Sequence, residues 1–280
     1  MHTLSIFAPT STFAIVITVL GGLGLFLYGI EYMSSSLKSL SGNKLKMLVG
    51  KATNNIFTGL LTGILITVLI QSSSATTVIV IGLISAGIMT LKQAIGVMMG
   101  ANIGTTVTAF LIGLKVSDYS LLFVALGAAI VIFASTKKIR YTGGIILGFG
   151  ILFIGLELMS TGLEPLTNEA WFKNAMITLS ENSVLGVLAG TILTSIVQSS
   201  SASIGVLQQI FSDGNIALPG ALAVLLGCNI GTTITAILAS LKATREAKQA
   251  SLFHLLFNVF GTIIFLIFFK SYVSVLTYVE

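Results

Sequence analysis

The sequence has few charged residues. Only 8% of its 280 residues are Asp, Glu, Lys or Arg, whereas soluble domains carry about 25%. A soluble domain of this length could not cover its surface with so few charges. There is one cysteine, Cys228, so no internal disulfide can form, and only three prolines interrupt the chain. These deficits exclude a cytosolic enzyme, a secreted disulfide scaffold and a disordered protein.

Hydrophobic residues and glycines are abundant instead. The chain is 55% hydrophobic with 29 glycines, and its mean hydropathy is +1.04. No segment alternates with the two-residue period of a membrane β-barrel, so the sequence predicts an all-α integral membrane protein. Six apolar runs are predicted to cross the bilayer: Phe13–Met33, Leu91–Leu114, Leu121–Ala134, Gly143–Met159, Ile216–Leu241 and Leu252–Phe269.

An internal repeat organises these runs into one transmembrane domain. The Gln-Ser-Ser-Ser-Ala block at 71–75 recurs at 198–202, and Gly-Ala-Asn-Ile-Gly-Thr-Thr-Val-Thr-Ala at 100–109 recurs as Gly-Cys-Asn-Ile-Gly-Thr-Thr-Ile-Thr-Ala at 227–236. Gly22 and Gly29 likewise match Gly148 and Gly155, which we interpret as close-packing positions. The repeat predicts two halves, residues 12–136 and 141–270, each a helix, a short hairpin, an interrupted helix and a helix.

Loop charges predict that the two halves are inverted. Residues 34–54 carry four lysines and no acid, whereas the equivalent residues 160–182 carry three glutamates and one lysine. Basic loops lie in the cytoplasm, so equivalent loops face opposite sides. If Ile56–Met89 and Val184–Phe211 are re-entrant hairpins, each half crosses three times and both termini lie outside. Two full helices per hairpin satisfy the same parity, but the short arms favour re-entry.

The hairpin tips and the repeated Asn-Ile-Gly-Thr-Thr segments place polar groups at membrane depth. Broken helices in inverted repeats are typical of secondary transporters. Amide and hydroxyl oxygens suit a hard monovalent cation, and serines that begin a helix can expose N–H groups to an anion. The motifs hold neither Lys nor Arg nor any carboxylate. Hence we expect a bound oxyanion to depend on helix dipoles and on cations bound with it.

Other intramembrane polar residues have weaker functional signals. Glu31 and Glu157 are repeat-equivalent acids near membrane ends, and we expect them to extend towards the interface rather than to act in transport. His254 and Asn258 share one helix face in the second half only, which indicates packing or gating rather than metal binding. Trp171 is predicted to lie at the outer interface.

The duplicated Gln-Ser-Ser-Ser and Gly-(Ala/Cys)-Asn-Ile-Gly-Thr-Thr motifs resemble those of the type II sodium–phosphate cotransporter family. The resemblance covers residues 21–261 and implies sodium-driven import of inorganic phosphate by alternating access at the midplane. It implies a multi-pass protein of the plasma or inner membrane, with sodium as co-substrate and no other cofactor or metal. It further implies phosphate contacts from the tip serines, Ser72, Ser73, Ser74, Ser199, Ser200 and Ser201. Sodium ligands would come from Gln71, Asn102, Thr105, Thr106, Gln198, Asn229, Thr232 and Thr233.

Some properties stay open at this stage. The substrate could instead be a carboxylate or sulfate, and a channel or a non-transporting scaffold is a further alternative. An enzyme is not expected, because no acid, His or Cys cluster lies near the motifs. We expect lipid but no nucleic acid as partner, a possible homodimer, and two sodium ions per divalent phosphate. Many bacterial relatives carry a further helix and a PhoU-like domain, and we expect a short bacterial-type member without that domain.

Overall fold

The computed structural model describes residues 11–41, 55–114 and 116–279, and these residues form helices and no strands. The prediction of an all-α membrane protein is therefore confirmed for the described chain. The helices are α1 (Thr12–Ser41), α2 (Ile56–Ile70), α3 (Ser73–Ser85), α4 (Leu91–Ile112), α5 (Ser120–Phe133), α6 (Lys137–Leu163), α7 (Ala170–Glu181), α8 (Ser183–Val197), α9 (Ser200–Ser212), α10 (Leu218–Ser240), α11 (Arg245–Ile267) and α12 (Phe269–Val279). Short 3₁₀ turns, Ser117–Tyr119 and Glu164–Asn168, precede α5 and follow α6.

Five described helices are long and apolar enough to cross a membrane: α1, α4, α6 with its 3₁₀ extension, α10 and α11. The sixth predicted crossing, α5, falls among the shorter apolar helices. The polar segment predicted to be an outer loop contains α7, which meets α8 at a bend of 112°. The pair α7 and α8 is therefore sharply bent rather than one straight span.

Two short hairpins interrupt the series of long helices. The first joins α2 to α3 and the second joins α8 to α9, with arms of 15 and 13 residues in both. An α-helix of 15 residues is about 22 Å long, less than the hydrocarbon thickness of about 30 Å. Neither arm can cross alone, as the sequence predicted for re-entrant hairpins.

Helices α1 and α6 are repeat-equivalent and pack against each other through glycines. A Cβ atom added to Gly22 would lie 2.8 Å from the carbonyl oxygen of Gly155, and one added to Gly29 would lie 2.8 Å from that of Gly148. The two helices are antiparallel, because the earlier glycine of α1 faces the later glycine of α6 and the later glycine of α1 faces the earlier one of α6. Replacing each glycine by its repeat equivalent turns the Gly22–Gly155 contact into the Gly29–Gly148 contact. The two helices therefore use the same positions to contact each other, and we call this interface reciprocal. Such an arrangement is what an inverted repeat requires, and the orientation of the halves in a bilayer remains a prediction.

The first arm of each hairpin packs on the long helix of its own half. Gly63 of α2 faces the backbone of Val97 in α4, and Gly190 of α8 faces the backbone of Val224 in α10. These contacts occupy equivalent repeat positions. At both glycines an added side chain would strike the backbone of the facing helix. The close approach fixes the height of each tip along its long helix.

The second arm of each hairpin packs on the long helix of its own half and also on that of the other half. Val80 and Ile81 of α3 share a buried cluster with Ala236 of α10. Ile204 and Leu207 of α9 form a second cluster, against which Ala109 of α4 packs. Ala109 and Ala236 are equivalent positions of the repeat, so the hairpins cross between the halves in the same manner.

The Asn-Ile-Gly-Thr-Thr segments do not break their helices. Both α4 and α10 continue through them without interruption, so the predicted interruption at residues 102–106 and 229–233 is wrong. Each glycine of these segments allows close packing instead: a Cβ at Gly104 would lie 2.7 Å from the Thr67 Cβ, and one at Gly231 would lie 2.8 Å from the Thr194 Cβ. The threonine hydroxyls bond to carbonyls of the preceding turn and leave the helix intact.

The last helix of each half has a different neighbour. Gly127 of α5 lies against Leu147 of α6, where even a Cβ atom would collide. Its repeat equivalent on α11, Gly261, has no atom within 4 Å of an added Cβ. Helix α11 packs on α3, α4 and α10 instead. The repeat is therefore broken at this helix, which supplies its buried polar face to the other half.

Candidate functional site

The tip of the first hairpin is closed by Gln71. Its backbone is left-handed, with φ of 57°, and its N–H donates to the Thr67 carbonyl at 2.6 Å. The side-chain Nε2 donates to the Val68 carbonyl at 2.7 Å, and Oε1 accepts from the Thr108 hydroxyl at 2.8 Å. Gln71 is only 5% exposed. The side-chain amide of Gln71 therefore bonds to its own helix α2 through Nε2 and to α4 through Oε1.

The tip of the second hairpin has the same backbone but a different side-chain environment. Gln198 also has φ of 57°, and its N–H donates to the Thr194 carbonyl at 2.7 Å. Its side chain is exposed and has no hydrogen-bonding partner among the described residues. The two glutamines, both predicted sodium ligands, thus have the same backbone conformation but differ in the hydrogen bonds of their side chains.

The tip serines begin the second arms of the hairpins. Ser72 accepts from the Ala75 N–H at 3.1 Å, and Ser199 accepts from the Ala202 N–H at 3.2 Å, so both are N-caps. A helix leaves the N–H groups of its first turn without intrahelical acceptors. The serines that follow each cap are buried or half-buried: Ser73, Ser74, Ser200 and Ser201. Both tips therefore present helix N-termini inside the protein.

A cavity of about 540 Å³ lies between α4, α10 and α11. Four predicted sodium ligands line it, together with two polar residues of α11: Asn102, Thr105, Thr106, Asn229, Asn258 and Thr262. Its remaining lining is apolar, and no Asp, Glu, Lys or Arg reaches it. The cavity combines neutral oxygen ligands with a largely apolar wall, an environment suited to a monovalent cation rather than to a divalent one.

Thr232 and Thr233, the remaining predicted ligands, are buried in α10 and do not line that cavity. Their hydroxyls donate to the Cys228 and Ile230 carbonyls at 2.8 and 2.7 Å. The equivalent Thr106 is exposed. The structure therefore gathers the first-half motif at the cavity and only Asn229 from the second.

Helix register brings the tip serines of the second hairpin towards the first-half motif. Gln208 of α9 donates from Nε2 to the Ala109 carbonyl at 3.1 Å. One turn earlier on both helices, Ile204 and Thr105 line the same cavity, so the helices run in the same direction. One further turn along α9 leads to Ser200 and Ser201. The symmetric clusters place the tip of the first hairpin near α10 by the same register.

Three residues complete the site and were not predicted as ligands. Thr108 holds Gln71, and Asn258 and Thr262 line the cavity. Thr108 lies inside the repeated motif block, so its position was visible in the sequence. Asn258 accepts from the Asn102 Nδ2 at 3.1 Å, a pairing between positions that the repeat does not relate. His254 packs beside them, 3.2 Å from the Asn102 Oδ1.

The other predicted polar residues lie away from the cavity lining. Glu31 is exposed and Glu157 is 6% exposed, with no partner for its Oε2 among the described residues. The expectation that both acids reach the interface therefore does not describe Glu157. Trp171 is 61% exposed on α7. No group of three or more His, Cys, Asp or Glu residues able to hold a metal occurs in the described part of the chain.

Polar hairpin tips within a bundle of membrane-crossing helices define a class, the multi-pass membrane transporters. The Na⁺/Pi-cotransporter family model matches this chain twice, over residues 25–161 and 155–278. The chain therefore belongs to the Na⁺/Pi-cotransporter family, as the motif resemblance predicted. The family is one of transporters rather than enzymes.

Individual relatives agree with this assignment. YqeW of Bacillus subtilis (strain 168) is 33% identical over 243 residues, which are 87% of this chain and 79% of that protein. YjbB of Escherichia coli (strain K12), whose name proposes inorganic phosphate export, is 25% identical over 250 residues. Those residues are 89% of this chain but only 46% of YjbB. The human sodium-dependent phosphate transport protein 2B is 36% identical over 108 residues, 38% of this chain and 16% of that protein. No solved structure matches the chain significantly.

Proposed function

We propose that this protein is a sodium-coupled phosphate symporter that works by alternating access. One observation carries the proposal: two helix N-termini capped by Ser72 and Ser199 lie in hairpins that cross between the halves, beside a cavity lined by neutral oxygens. The family assignment and the names of the relatives support phosphate as the substrate and sodium as the co-substrate.

Phosphate would bind at the hairpin tips. Free N–H groups and the positive end of the helix dipole attract an anion there, and the serine hydroxyls that follow each cap can donate to its oxygens. The tip segments 71–74 and 198–201 contain no basic residue. Phosphate binding is consequently weak until cations bind nearby, which makes coupling to sodium obligatory.

Sodium would bind at the cavity and at the tip glutamines. Because no carboxylate lines the cavity, the protein adds no fixed negative charge to offset extra cations. Two sodium ions with one divalent phosphate give an electroneutral cycle. The proposed alternation of access uses the reciprocal contact of α1 and α6 as a rigid frame, while the hairpins move relative to it.

The test is phosphate uptake into proteoliposomes containing the purified protein. An inward sodium gradient is expected to drive accumulation, and replacing sodium with choline should remove it. Equal uptake in both salts contradicts the coupling. Uptake should produce no net current at a clamped voltage, and a phosphate-evoked inward current contradicts the electroneutral stoichiometry.

Substrate selectivity needs a separate competition experiment. Unlabelled phosphate is expected to displace labelled phosphate, whereas sulfate and small carboxylates should not at equal concentration. Displacement by sulfate or a carboxylate at matching concentration would assign the site to another oxyanion. Flux proportional to concentration without saturation would instead indicate a channel.

Export is a second candidate function, favoured by the similarity to YjbB over 89% of this chain. Direction in a coupled carrier follows the gradients, so one protein can in principle run either way. Proteoliposomes loaded with phosphate, with choline in place of sodium on both sides, distinguish the two. Phosphate efflux down its own gradient without sodium supports an exporter that does not need sodium, and its absence supports the symporter.

A further inference from the structure

Polar side chains around the 540 Å³ cavity donate their hydrogens to acceptors within the protein, so their oxygen atoms are left with free lone pairs. The hydroxyl of Thr105 donates to the Ala101 carbonyl at 3.1 Å, and that of Thr106 donates to the Ile103 carbonyl at 2.6 Å. A hydroxyl whose hydrogen is used in this way presents only lone pairs to its other neighbours. These two side chains therefore favour a cation and cannot serve an anion.

The two asparagine amides at the cavity have fixed orientations. The Asn102 Nδ2 donates to the Asn258 Oδ1 at 3.1 Å, and the Asn258 Nδ2 donates to the His254 carbonyl at 2.8 Å. Each amide thus uses an N–H on a protein acceptor. Both carbonyl oxygens retain a lone pair, and both residues line the cavity.

His254 contacts the Asn102 amide from outside the cavity. It does not line the cavity, and it is 2% exposed. Its Nε2 lies 3.2 Å from the Asn102 Oδ1. Because that oxygen can only accept, the contact is a hydrogen bond only when Nε2 carries the hydrogen. His254 then determines which end of the Asn102 amide is the oxygen.

We propose that this cavity binds one monovalent cation through Asn102, Asn258 and Thr262, and that His254 is the positioning residue for the Asn102 amide. The inference rests on the proposed function for its transport readout only. No acid or base lines the cavity, so a divalent cation would lack charge compensation there. A water molecule takes about 30 Å³ of liquid volume, so the space admits a cation that keeps some of its water.

The site is expected once per chain and not twice. His254 and Asn258 align in the repeat with Ser120 and Val124 of α5. Those residues lie on a helix that packs on α6, where Gly150 contacts the Ser120 carbonyl and Val124. Asn229, the equivalent of Asn102, lines the cavity without a partner among the described residues. Asn258 of α11 therefore bonds to the asparagine of the first-half motif and not to its second-half equivalent.

The first measurement is binding without transport. Sodium added to the purified protein in detergent, without phosphate, is expected to raise the unfolding temperature in a saturable manner, since a ligand of the folded state stabilises it. N-methyl-D-glucamine at the same ionic strength is the control. Equal effects of both cations on the wild type would overturn the cation site.

The variants separate positioning from packing. His254→Leu removes the donor and is expected to raise the half-saturating sodium concentration by about three- to tenfold, the effect of losing one hydrogen bond. His254→Gln keeps an N–H at similar reach and should stay within about twofold of the wild type. Ser251→Ala is the matched control, because Ser251 is equally buried on the same helix and its hydroxyl has no hydrogen-bonding partner among the residues that the structure describes. Equal losses in His254→Leu and His254→Gln would overturn the positioning role.

Thr262→Val covers the case in which His254→Leu does not fold. It removes a ligand oxygen while keeping the shape, and the hydroxyl makes only a 3.5 Å contact to the Leu226 carbonyl. It should weaken sodium binding, measured as a higher half-saturating sodium concentration in the unfolding assay. Unchanged sodium binding in Thr262→Val contradicts the ligand set.

The two proposals fail in different ways. Sodium that stabilises the protein but does not drive uptake would remove the symporter and keep the cation site. Uptake that needs sodium, in a protein whose sodium activation is unaffected by His254→Leu and Thr262→Val, would keep the symporter and remove this site.

Discussion

Gln71 and Gln198 share a left-handed backbone φ of 57° at the tips of the two hairpins, but of the two only Gln71 is buried and bonded to the long helix of its own half. A left-handed conformation costs a residue with a Cβ about 1–2 kcal/mol. Both hairpins carry that cost, and only the first offsets it with side-chain hydrogen bonds. The two tips are therefore unequally restrained in this conformation.

Removing the Thr108 hydroxyl should destabilise the first tip. Thr108→Val leaves the buried Gln71 Oε1 without its donor, and we expect a loss of about 1–3 kcal/mol of unfolding free energy. The control is Thr235→Val at the equivalent position, where the hydroxyl donates to the Thr232 carbonyl within its own helix. Thermal unfolding of both purified variants measures the difference. Equal stability of the two would mean that the Gln71–Thr108 contact contributes nothing.

A negative charge at the caps should block phosphate without unfolding the hairpins. Asp and Asn are both good N-caps, so Ser72→Asp and Ser72→Asn preserve the start of α3 alike. The aspartate repels a bound anion, and we expect at least a tenfold loss of phosphate uptake relative to the asparagine variant, about 1.4 kcal/mol. The same pair at Ser199 tests the second tip. Wild-type uptake by either aspartate variant would move phosphate away from that tip.

The α1–α6 interface should reject any side chain. In Gly22→Ala the new Cβ would lie 2.7 Å from the Met159 backbone nitrogen, and overpacking of this kind costs about 1–3 kcal/mol. Gly24 lies on the same helix with no atom within 4 Å of an added Cβ, so Gly24→Ala should be neutral or slightly stabilising. The measurement compares the unfolding temperatures of the two variants in the same detergent, and that of Gly22→Ala should be the lower. A tolerated Gly22→Ala would show that the helices can separate freely.

The inversion of the halves is testable with single cysteines. Cys228 is the one cysteine of the chain and is fully buried, so Cys228→Ala supplies a background. The exposed hairpin bases at Ile88 and Ser212 are then changed to cysteine one at a time. A membrane-impermeant maleimide should label Ser212→Cys in intact cells and Ile88→Cys only in inside-out vesicles. Labelling of both from the same side contradicts the inverted arrangement.

Much of the fold was predictable because the length of an apolar run and the presence of a repeated motif can each be read from a short stretch of sequence. The hairpins followed from pairs of apolar arms within Ile56–Met89 and Val184–Phe211 that are too short for a crossing. The interruption expected in α4 and α10 was wrong, because a glycine inside a polar segment signals close packing as readily as a break. Gly104 and Gly231 serve that packing.

The cavity was only partly predictable. Asn102, Thr105, Thr106 and Asn229 were visible as a repeated motif, and all four line it. The partnership of Asn102 with Asn258 joins residues 156 positions apart that the repeat does not relate. A single sequence carries no signal for such a pairing, since it arises from how α11 packs across the halves.

The reciprocal contacts of Gly22 with Gly155 and of Gly29 with Gly148 have an evolutionary consequence. Each half carries both sides of the surface that joins it to the other, so a free half would be able to recognise its own copy in the antiparallel orientation. Two such halves joined as a homodimer would therefore need no new contact at this surface on being fused into one chain. Fusion also allows the two halves to differ, and α11 with His254 and Asn258 is where this chain departs from the symmetry of its repeat.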